Sequence, residues 1–453
     1  MRRSARVRAA LAVLLALALA PIAQAEPVQI RGADPEGYAL DLRYAERRGG
    51  VLEGSERIDF VNRGPGALDR VWLRLWANGP DRCRPRRIRV QVDAPSAAGV
   101  ERMRCTALEV RLPAPLPAGA SGSVSLRFRS AVRPQRDRFG RVGRTSLLGN
   151  VIPVLAVEDA GGLHLEPYAA RGESFYSLPA RWDATLRLPA RLRAATTGAL
   201  ASESVSAGER TLQVSSAQAR DFALAVGPLR TIEESRGALT VRVFAERAVP
   251  GVRRSLRVAH RALRALSARL GPYDSSELDV VLVARGFETG GAGMEYPELV
   301  FALPAPEVVS HEVAHQWWYG LVGNNQYLEP WLDESFAQYS HERLHPGSNF
   351  CRPRRPYRLV APWRRHLRLD STMRVFERAS PFAIGEVVYL AGSCALQRLE
   401  RDIGVARMTA LLRLLQSRFR HGVMTKSDVL AAIREAAPGY RLGRWLRLAH
   451  LRP

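Results

Sequence analysis

The stretch His311-Glu312-Val313-Ala314-His315 decides how the rest of this chain is interpreted. Positions i and i+4 of a helix lie on the same face, so His311 and His315 can direct their imidazoles at one metal ion. Glu312 lies beside this pair, close enough to take a proton from a water on that ion. The alternative is a helix that merely carries two histidines.

A third ligand follows on a second predicted helix. Catalytic zinc takes three protein ligands and keeps a fourth position open. Glu334 lies in residues 331–337, which have the pattern of a helix start, and a turn and a return helix can bring it back to His315. The sequence therefore predicts one zinc ion per chain, bound by His311, His315 and Glu334, with Glu312 as the general base.

Composition bounds the class of protein. A chain of 453 residues with 46% hydrophobic and 25% charged residues suggests two or three ordinary globular domains. The net charge of +23 is nearly all arginine, and Lys426 is the only lysine. No nucleic-acid motif accompanies this charge, so we expect a solvated basic surface and no nucleic-acid partner. The alternative is attraction to an anionic envelope or to acidic substrates.

Residues 1–25 have the pattern of a signal peptide. An arginine-rich start precedes an apolar run over residues 9–20 and the small-x-small sequence Ala23-Gln24-Ala25. We predict cleavage after Ala25 and a secreted or periplasmic protein. No later apolar run reaches the length that spans a bilayer.

The four cysteines are expected to pair in an exported protein. Pairing Cys83 with Cys105 and Cys351 with Cys394 closes each loop within one half of the chain. The alternative is buried thiols, and no C-x-x-C metal motif is present.

Periodicity divides the chain into two parts. Residues 26–230 alternate apolar and polar side chains in short segments separated by glycine, proline and aspartate, which predicts an antiparallel β domain. Residues 231–453 begin with a strand and an amphipathic helix over residues 252–270, and continue as a mainly helical domain that contains the metal motif.

The metal segment carries a resemblance to a known family. Residues 311–318, Glu334 and the upstream Gly293-Met294-Glu295 resemble the aminopeptidase N and leukotriene hydrolase family of gluzincin zinc metallopeptidases. The resemblance implies an α+β fold: an N-terminal antiparallel β saddle, then a thermolysin-like domain with a small mixed α/β part and a mainly helical part. The C-terminal helical-repeat domain of many relatives is expected to be absent.

The same resemblance implies further site residues. Tyr389 corresponds to the tyrosine that stabilises the transition state, although Ala391 stands where the family has lysine. Glu295 corresponds to the anchor of the substrate's free amino terminus, and Gly293 and Met294 to substrate-contacting positions. For a second amine-binding side chain, Glu166 and Glu173 are weak candidates and neither is favoured.

Together these observations predict a secreted zinc aminopeptidase that hydrolyses N-terminal residues from peptides through a zinc-activated water. One alternative is a zinc endopeptidase of the same fold, which would not depend on Glu295. Another is a non-catalytic relative that binds the cell envelope. A monomer is favoured, and the preferred N-terminal residue and the physiological substrate stay open.

Overall fold

The structure, a computed structural model, describes residues 28–80, 83–84, 86–134, 138–286, 292–345, 351 and 366–452. The predicted signal peptide lies outside the described residues. Among the helices of the described part, none is both long and apolar enough to cross a membrane.

The first half of the chain forms β strands with alternating buried and exposed residues, as the period-two pattern predicts. The strands are Ala33–Ala45 (β1), Val51–Asn62 (β2), Leu68–Arg74 (β3), Ile88–Val92 (β4), Ala97–Arg102 (β5), Ala107–Leu116 (β6), Ser121–Ala131 (β7), Arg141–Val142 (β8), Thr145–Leu148 (β9), Val154–Leu155 (β10), Glu158–Asp159 (β11), Gly162–Leu163 (β12), Ala180–Pro189 (β13), Arg193–Thr196 (β14), Ala199–Ser206 (β15), Glu209–Ala219 (β16) and Leu224–Gly227 (β17).

These strands form a large sheet and smaller ones that cover it. The seven-stranded sheet has the order β15-β16-β13-β1-β2-β7-β4, with β1 and β13 parallel and the other pairs antiparallel. Two four-stranded sheets have the orders β10-β3-β6-β5 and β14-β17-β9-β8, and β11 pairs with β12. Their inner faces enclose one apolar core, in which Tyr38 stacks on Trp182 with ring centroids 3.9 Å apart.

The second half contains a mixed sheet and the helices. The strands are Leu229–Arg236 (β18), Leu239–Glu246 (β19), Glu277–Leu282 (β20), Gly293–Met294 (β21), Leu299–Ala302 (β22), Val322–Gly323 (β23) and Gly422–Val423 (β24). The helices are Val252–Leu270 (α1), Pro306–Ala314 (α2), Trp331–Leu344 (α3), Met373–Glu377 (α4), Gly392–Ile403 (α5), Val405–Arg418 (α6), Lys426–Ala436 (α7) and Leu442–Leu448 (α8), and a π-helical segment at Gly385–Ala391 precedes α5.

The mixed sheet separates two cores. Its order is β18-β19-β20-β22-β21, and the edge strand β21 runs antiparallel to β22. Because successive side chains of a strand point to opposite faces, Val280 and Val300 pack against the helices, whereas Val281 and Phe301 pack into the core of the β domain. This sheet therefore positions the helices relative to the β domain.

The predicted α+β fold class is confirmed: a sheet-rich N-terminal half precedes a mainly helical part. The helix predicted over residues 252–270 is α1. The division at residues 230 and 231 stays a proposal, and β18 begins at Leu229. Both predicted cysteine pairs are disulfide-bonded, with Cα atoms 5.9 Å apart for Cys83 and Cys105 and 5.4 Å apart for Cys351 and Cys394.

Candidate metal centre and active site

Two helices bring the three predicted metal ligands together. His311 lies on α2, His315 directly follows its end, and Glu334 lies in the first turn of α3. The Nε2 atoms of the two histidines are 3.1 Å apart, and Oε2 of Glu334 lies 3.3 Å from each. Three ligands at the usual distance from a tetrahedral zinc ion are about 3.3 Å from one another. The donor triangle and its chemistry therefore fit zinc.

Local sequence accounts for the start of each helix. Pro306 occupies the first turn of α2, where its fixed φ suits a helix and its missing N–H costs no hydrogen bond. Glu307 in that turn, and Asp333 and Glu334 in the first turn of α3, carry the negative charge that a helix N-terminus favours. Glu334 thus supports its helix as well as facing the histidines.

Hydrogen bonds around the ligands orient them. Nδ1 of His315 donates to the carbonyl of Trp318 at 2.9 Å, which orients the ring so that its Nε2 faces the site. Oε1 of Glu334 accepts from the Tyr389 hydroxyl, and within the described residues its Oε2 has no hydrogen-bond partner. Burial opposes ionisation of Glu334, but the positive charge of His315 holds the pKa of its carboxyl below the ordinary value.

Glu312, the predicted general base, is buried beside this triangle and lines the same cavity. Burial raises the pKa of its carboxyl to about 8. The positive charge of His315 lowers this pKa, whereas the negative charge of Glu334 raises it. The edge strand approaches it closely: a Cβ on Gly293 would lie 2.1 Å from Oε1 of Glu312. A side chain at residue 293 would therefore displace the Glu312 carboxyl.

Tyr389 points at the metal ligands from a different element. It lies in the π-helical segment, one turn before the start of α5. Its ring stacks on His311 with centroids 5.7 Å apart, and its hydroxyl reaches Glu334. Single π-helical turns are frequent at functional sites.

Buried carboxylates form a second cluster next to the ligands. Carboxylate oxygens of Glu173, Glu295 and Glu334 all lie within 4.8 Å of one another. Arg138 donates to Glu173 at 2.7 Å, and burial followed by the charge of Glu173 raises the pKa of Glu295 well above its ordinary value. The cluster therefore holds more negative charge than Arg138 offsets. Glu166, the other weak candidate, instead bonds His164 and is absent from the cavity lining within the described part.

A network that the sequence did not reveal holds Glu295 in position. Gln326 donates to Oε1 of Glu295 at 3.0 Å and to Oδ2 of Asp333 at 2.7 Å. Asn324 donates to the other oxygen of Asp333. Gln326 thus couples Glu295 to Asp333, the residue that precedes Glu334. No sequence signal marks this network, because its members come from the edge of the mixed sheet, the loop before α3 and α3 itself.

The residues around Glu295 differ in what they contact. Gly293 and Glu295 line the cavity, whereas the side chain of Met294 is 1% exposed and packs into the core of the β domain. Tyr296 is also buried and donates to Asn150 at 2.8 Å. A substrate contact by Met294 stays a prediction.

One cavity of about 980 Å³ is lined by the three predicted zinc ligands and by Glu312, Tyr389, Glu173 and Glu295. Its lining among the described residues also includes Arg171 and Phe382, and Phe382 is 73% exposed. Arg171 donates to the carbonyl of Ala379 and thereby ties the segment that carries Glu173 to the segment before Tyr389.

A second His-Glu-x-x-His sequence occurs at residues 341–345 on α3. His341 lines the cavity and shares a hydrogen bond of 2.7 Å with Ser310. Glu342, however, accepts from Ser393 and from Gln338 and faces α5. This pentapeptide therefore does not repeat the arrangement at residues 311–315, and the fold distinguishes two stretches with the same motif.

The two helices, the His-His-Glu triangle and the adjoining glycine-containing strand edge define the gluzincin class of metallopeptidases. The sequence profile of the peptidase family M1 domain matches residues 255–443. Over those residues the chain is similar to peptidase family M1, in agreement with the resemblance of its metal segment.

Similarity to curated relatives is confined to segments. Leucine aminopeptidase 2 of Yarrowia lipolytica is 26% identical over 178 residues, which cover 33% of this chain and 27% of the relative. Human aminopeptidase B is 34% identical over 82 residues, covering 16% and 12%. Leukotriene A-4 hydrolase of Xenopus laevis is 26% identical over 156 residues, covering 30% and 25%. The chain thus matches about a quarter or less of each relative's length.

Similarity to solved structures extends over nearly the whole chain. The M1 zinc metallopeptidase from Deinococcus radiodurans has a TM-score of 0.64 at 20% identity, covering 94% of this chain and 95% of that one. A glutamate-to-alanine mutant of a two-domain M1 zinc metallopeptidase, bound to L-arginine, has a TM-score of 0.66 at the same identity and coverage. At this identity the similarity establishes the fold.

Proposed function

We propose that this chain is a zinc aminopeptidase that removes N-terminal residues from peptides outside the cytoplasm. The observation that carries the proposal is the cluster of Glu173, Glu295 and Glu334, whose oxygens lie within 4.8 Å of one another. Two buried carboxylates next to a metal ligand, with one arginine as counter-charge, suit an ammonium group one residue away from the bond that is cut.

Three residues hold the metal, and others carry the protons. His311, His315 and Glu334 bind zinc, which when bound acidifies a water molecule and polarises the scissile carbonyl. Glu312 takes a proton from the attacking water and returns it to the leaving amine. The phenol of Tyr389 donates a hydrogen bond to the carbonyl oxygen as negative charge develops on it.

The substrate is oriented by its charged amino terminus. Its α-ammonium lies between Glu295 and Glu173, and charge-assisted hydrogen bonds there fix how far the chain enters the cavity. A peptide with a blocked amino terminus loses these bonds, and Glu295 then stays buried without an ammonium partner, whereas Glu173 keeps Arg138. Gln326 and Arg138 keep the two carboxylates in position through their hydrogen bonds.

Several independent features support this reading. A mutant of the M1 zinc metallopeptidase from Deinococcus radiodurans has been solved with a Tyr-Ser-Ala substrate, at a TM-score of 0.64 to this chain. Three curated relatives above are aminopeptidases or a hydrolase of the same family. Export is supported by the signal-like residues 1–25 and by the two disulfides.

The decisive experiment compares matched peptides that differ only in acetylation of the amino terminus. The zinc-loaded chain without residues 1–25 should cleave the first residue from the free peptide and leave the acetylated one intact. Equal cleavage of both peptides at internal bonds would identify an endopeptidase instead. A zinc-loaded, folded protein that cleaves neither would favour the non-catalytic alternative.

A further inference from the structure

Helix α1 presents a continuous row of exposed arginines. The row contains five arginines. At 100° per residue, they lie within an arc of about 100° around the helix axis, and they extend along about 17 Å of the helix. The opposite face is buried against α2 and the mixed sheet. The exposed members are Arg253, Arg254, Arg257, Arg261 and Arg264.

No carboxylate of the described residues forms an ion pair with this row. The sequence of α1 contains no aspartate or glutamate, and none of the five arginines forms an ion pair with any described residue. Some exposed arginines of the β domain are paired instead: Arg43 with Glu209, and Arg129 with Glu53. The positive charge of these five arginines is therefore directed at solvent, whereas Arg269 near the end of α1 pairs with Glu400.

The stability of the helix does not account for these arginines. A helix N-terminus carries partial positive charge and favours acidic side chains. The first turn of α1 has none, and Arg253 and Arg254 follow the N-cap Gly251, which offers no side-chain cap. A local rule broken without a compensating contact is typical of residues retained for a function.

We propose that this arginine face docks the protein on an anionic phospholipid surface. A guanidinium group can donate two parallel hydrogen bonds to the oxygens of one phosphate. Five guanidinium groups on one straight face can contact a flat layer of lipid headgroups at the same time. Because the apolar face of α1 is part of the core, the contact is electrostatic and reversible rather than an insertion. Predicted export would leave the protein beside such a surface.

Docking through α1 leaves the proposed catalytic cavity open. None of the five arginines belongs to its lining among the described residues. The surface would concentrate the protein at a membrane without contacting the metal ligands. The proposal therefore does not depend on the activity, and it can be tested separately.

The experiment measures binding of the zinc-loaded chain to vesicles by co-sedimentation. Phosphatidylglycerol–phosphatidylcholine vesicles are compared with pure phosphatidylcholine vesicles at low and high salt. One variant changes all five α1 arginines to glutamine. A control variant changes five exposed arginines that have no ion pair within the described residues and lie elsewhere: Arg31, Arg47, Arg144, Arg193 and Arg434. Both variants lose five charges, so a difference between them reports position.

We expect binding to the anionic vesicles alone, weakened by salt, and reduced at least about a hundredfold in the α1 variant. The control variant should change by less than about fivefold, and both should keep wild-type circular dichroism and metal content. Equal losses in the two variants would show that only net charge matters and would overturn the proposal. So would absence of vesicle binding, or an α1 variant that loses affinity only for duplex DNA or heparin.

Discussion

The hydroxyl of Ser335 donates a hydrogen bond to the backbone carbonyl of Val388 at 2.7 Å. Their chain neighbours Glu334 and Tyr389 form a second pair, in which the Tyr389 hydroxyl donates to Glu334. The two elements approach so closely that a Cβ on Gly392 would lie 1.9 Å from Oγ of Ser335. This contact joins the first turn of α3 to the π-helical segment and sets where Tyr389 stands relative to the metal ligands.

Removing this contact should impair turnover without removing the metal. We expect Ser335→Ala to lower kcat by about three- to tenfold with little change in KM, because Tyr389 is no longer held opposite the reacting carbonyl. In a Tyr389→Phe background, the same substitution should have no further effect on kcat. Steady-state kinetics and metal analysis of the two single variants and the double variant test this.

Ser340→Ala is a matched control, since Ser340 is buried on the same helix but accepts from Trp318 instead. An equal loss of kcat in this control, or additive losses in the double variant, would exclude a positioning role for Ser335.

Glu312→Gln should separate proton transfer from metal binding. The amide has nearly the same shape and cannot accept a proton, so we expect kcat to fall by about 10²- to 10⁴-fold. Metal content should stay at one ion per chain, because the three ligands are untouched. Loss of metal together with activity would assign Glu312 to the ligand set, and full activity would remove it from the mechanism.

The two proposed amine-site carboxylates are tested by isosteric amides. Glu295→Gln and Glu173→Gln should each raise KM for peptides with a free amino terminus by about 10- to 100-fold, as expected for losing a charged hydrogen bond. Glu166→Gln is the control, since Glu166 bonds His164 away from the cavity. If Glu173→Gln leaves KM unchanged while Glu295→Gln raises it, the substrate has a single anchor.

His164 should make stability depend on pH. Burial lowers its pKa, but hydrogen bonds to Asp159 and Glu166 outweigh the effect of burial and raise the pKa to about 9 from a reference of 6.5. Buried Arg74 also faces Glu166. The protonated His164 ring therefore stabilises the folded state. This stabilisation is complete below pH 6.5 and is lost as pH rises towards 9. Allowing for solvent screening, the loss should be about 1–2 kcal/mol.

Denaturant unfolding at several pH values from 6 to 9.5 measures this effect. In His164→Gln the slope over that interval should be much smaller, since the amide does not titrate. A variant with the same slope as the wild type would show that other groups cause it.

Glu56 is a buried carboxyl on the core face of the large sheet, opposite Leu40 and Leu126 on the neighbouring strands. Neither of its oxygens has a hydrogen-bond partner within the described residues, and burial raises its pKa well above the ordinary value. A raised pKa means that stability is lost as pH rises.

Glu56→Leu should therefore increase the free energy of unfolding, by about 1–3 kcal/mol at pH 8 and by less at pH 4. Thermal or chemical unfolding at both pH values measures the difference. A destabilised variant at pH 8 would mean that the carboxyl contributes an interaction that leucine cannot replace.

The parts of the site that adjoin one another in sequence could be predicted. His311, Glu312 and His315 share one helical turn, so their geometry follows from local spacing. Glu334 required only a second helix a short distance along the chain. By contrast, Glu173 had no more sequence support than Glu166, and it is distinguished only by its position beside Glu295. Gln326 and Ser335 carried no signal, because each acts through a contact with a distant segment.

The sequence by itself determined the helical periodicity, the alternation of the β domain and the order of donors along the metal helix. These are properties of neighbouring residues and of the backbone, which has few conformations. The tertiary structure alone decided which carboxylate lies within 4.8 Å of Glu295 and how Tyr389 reaches Glu334. Those relations depend on the packing of separate elements, where one contact such as Ser335 to Val388 sets a distance that no local pattern encodes.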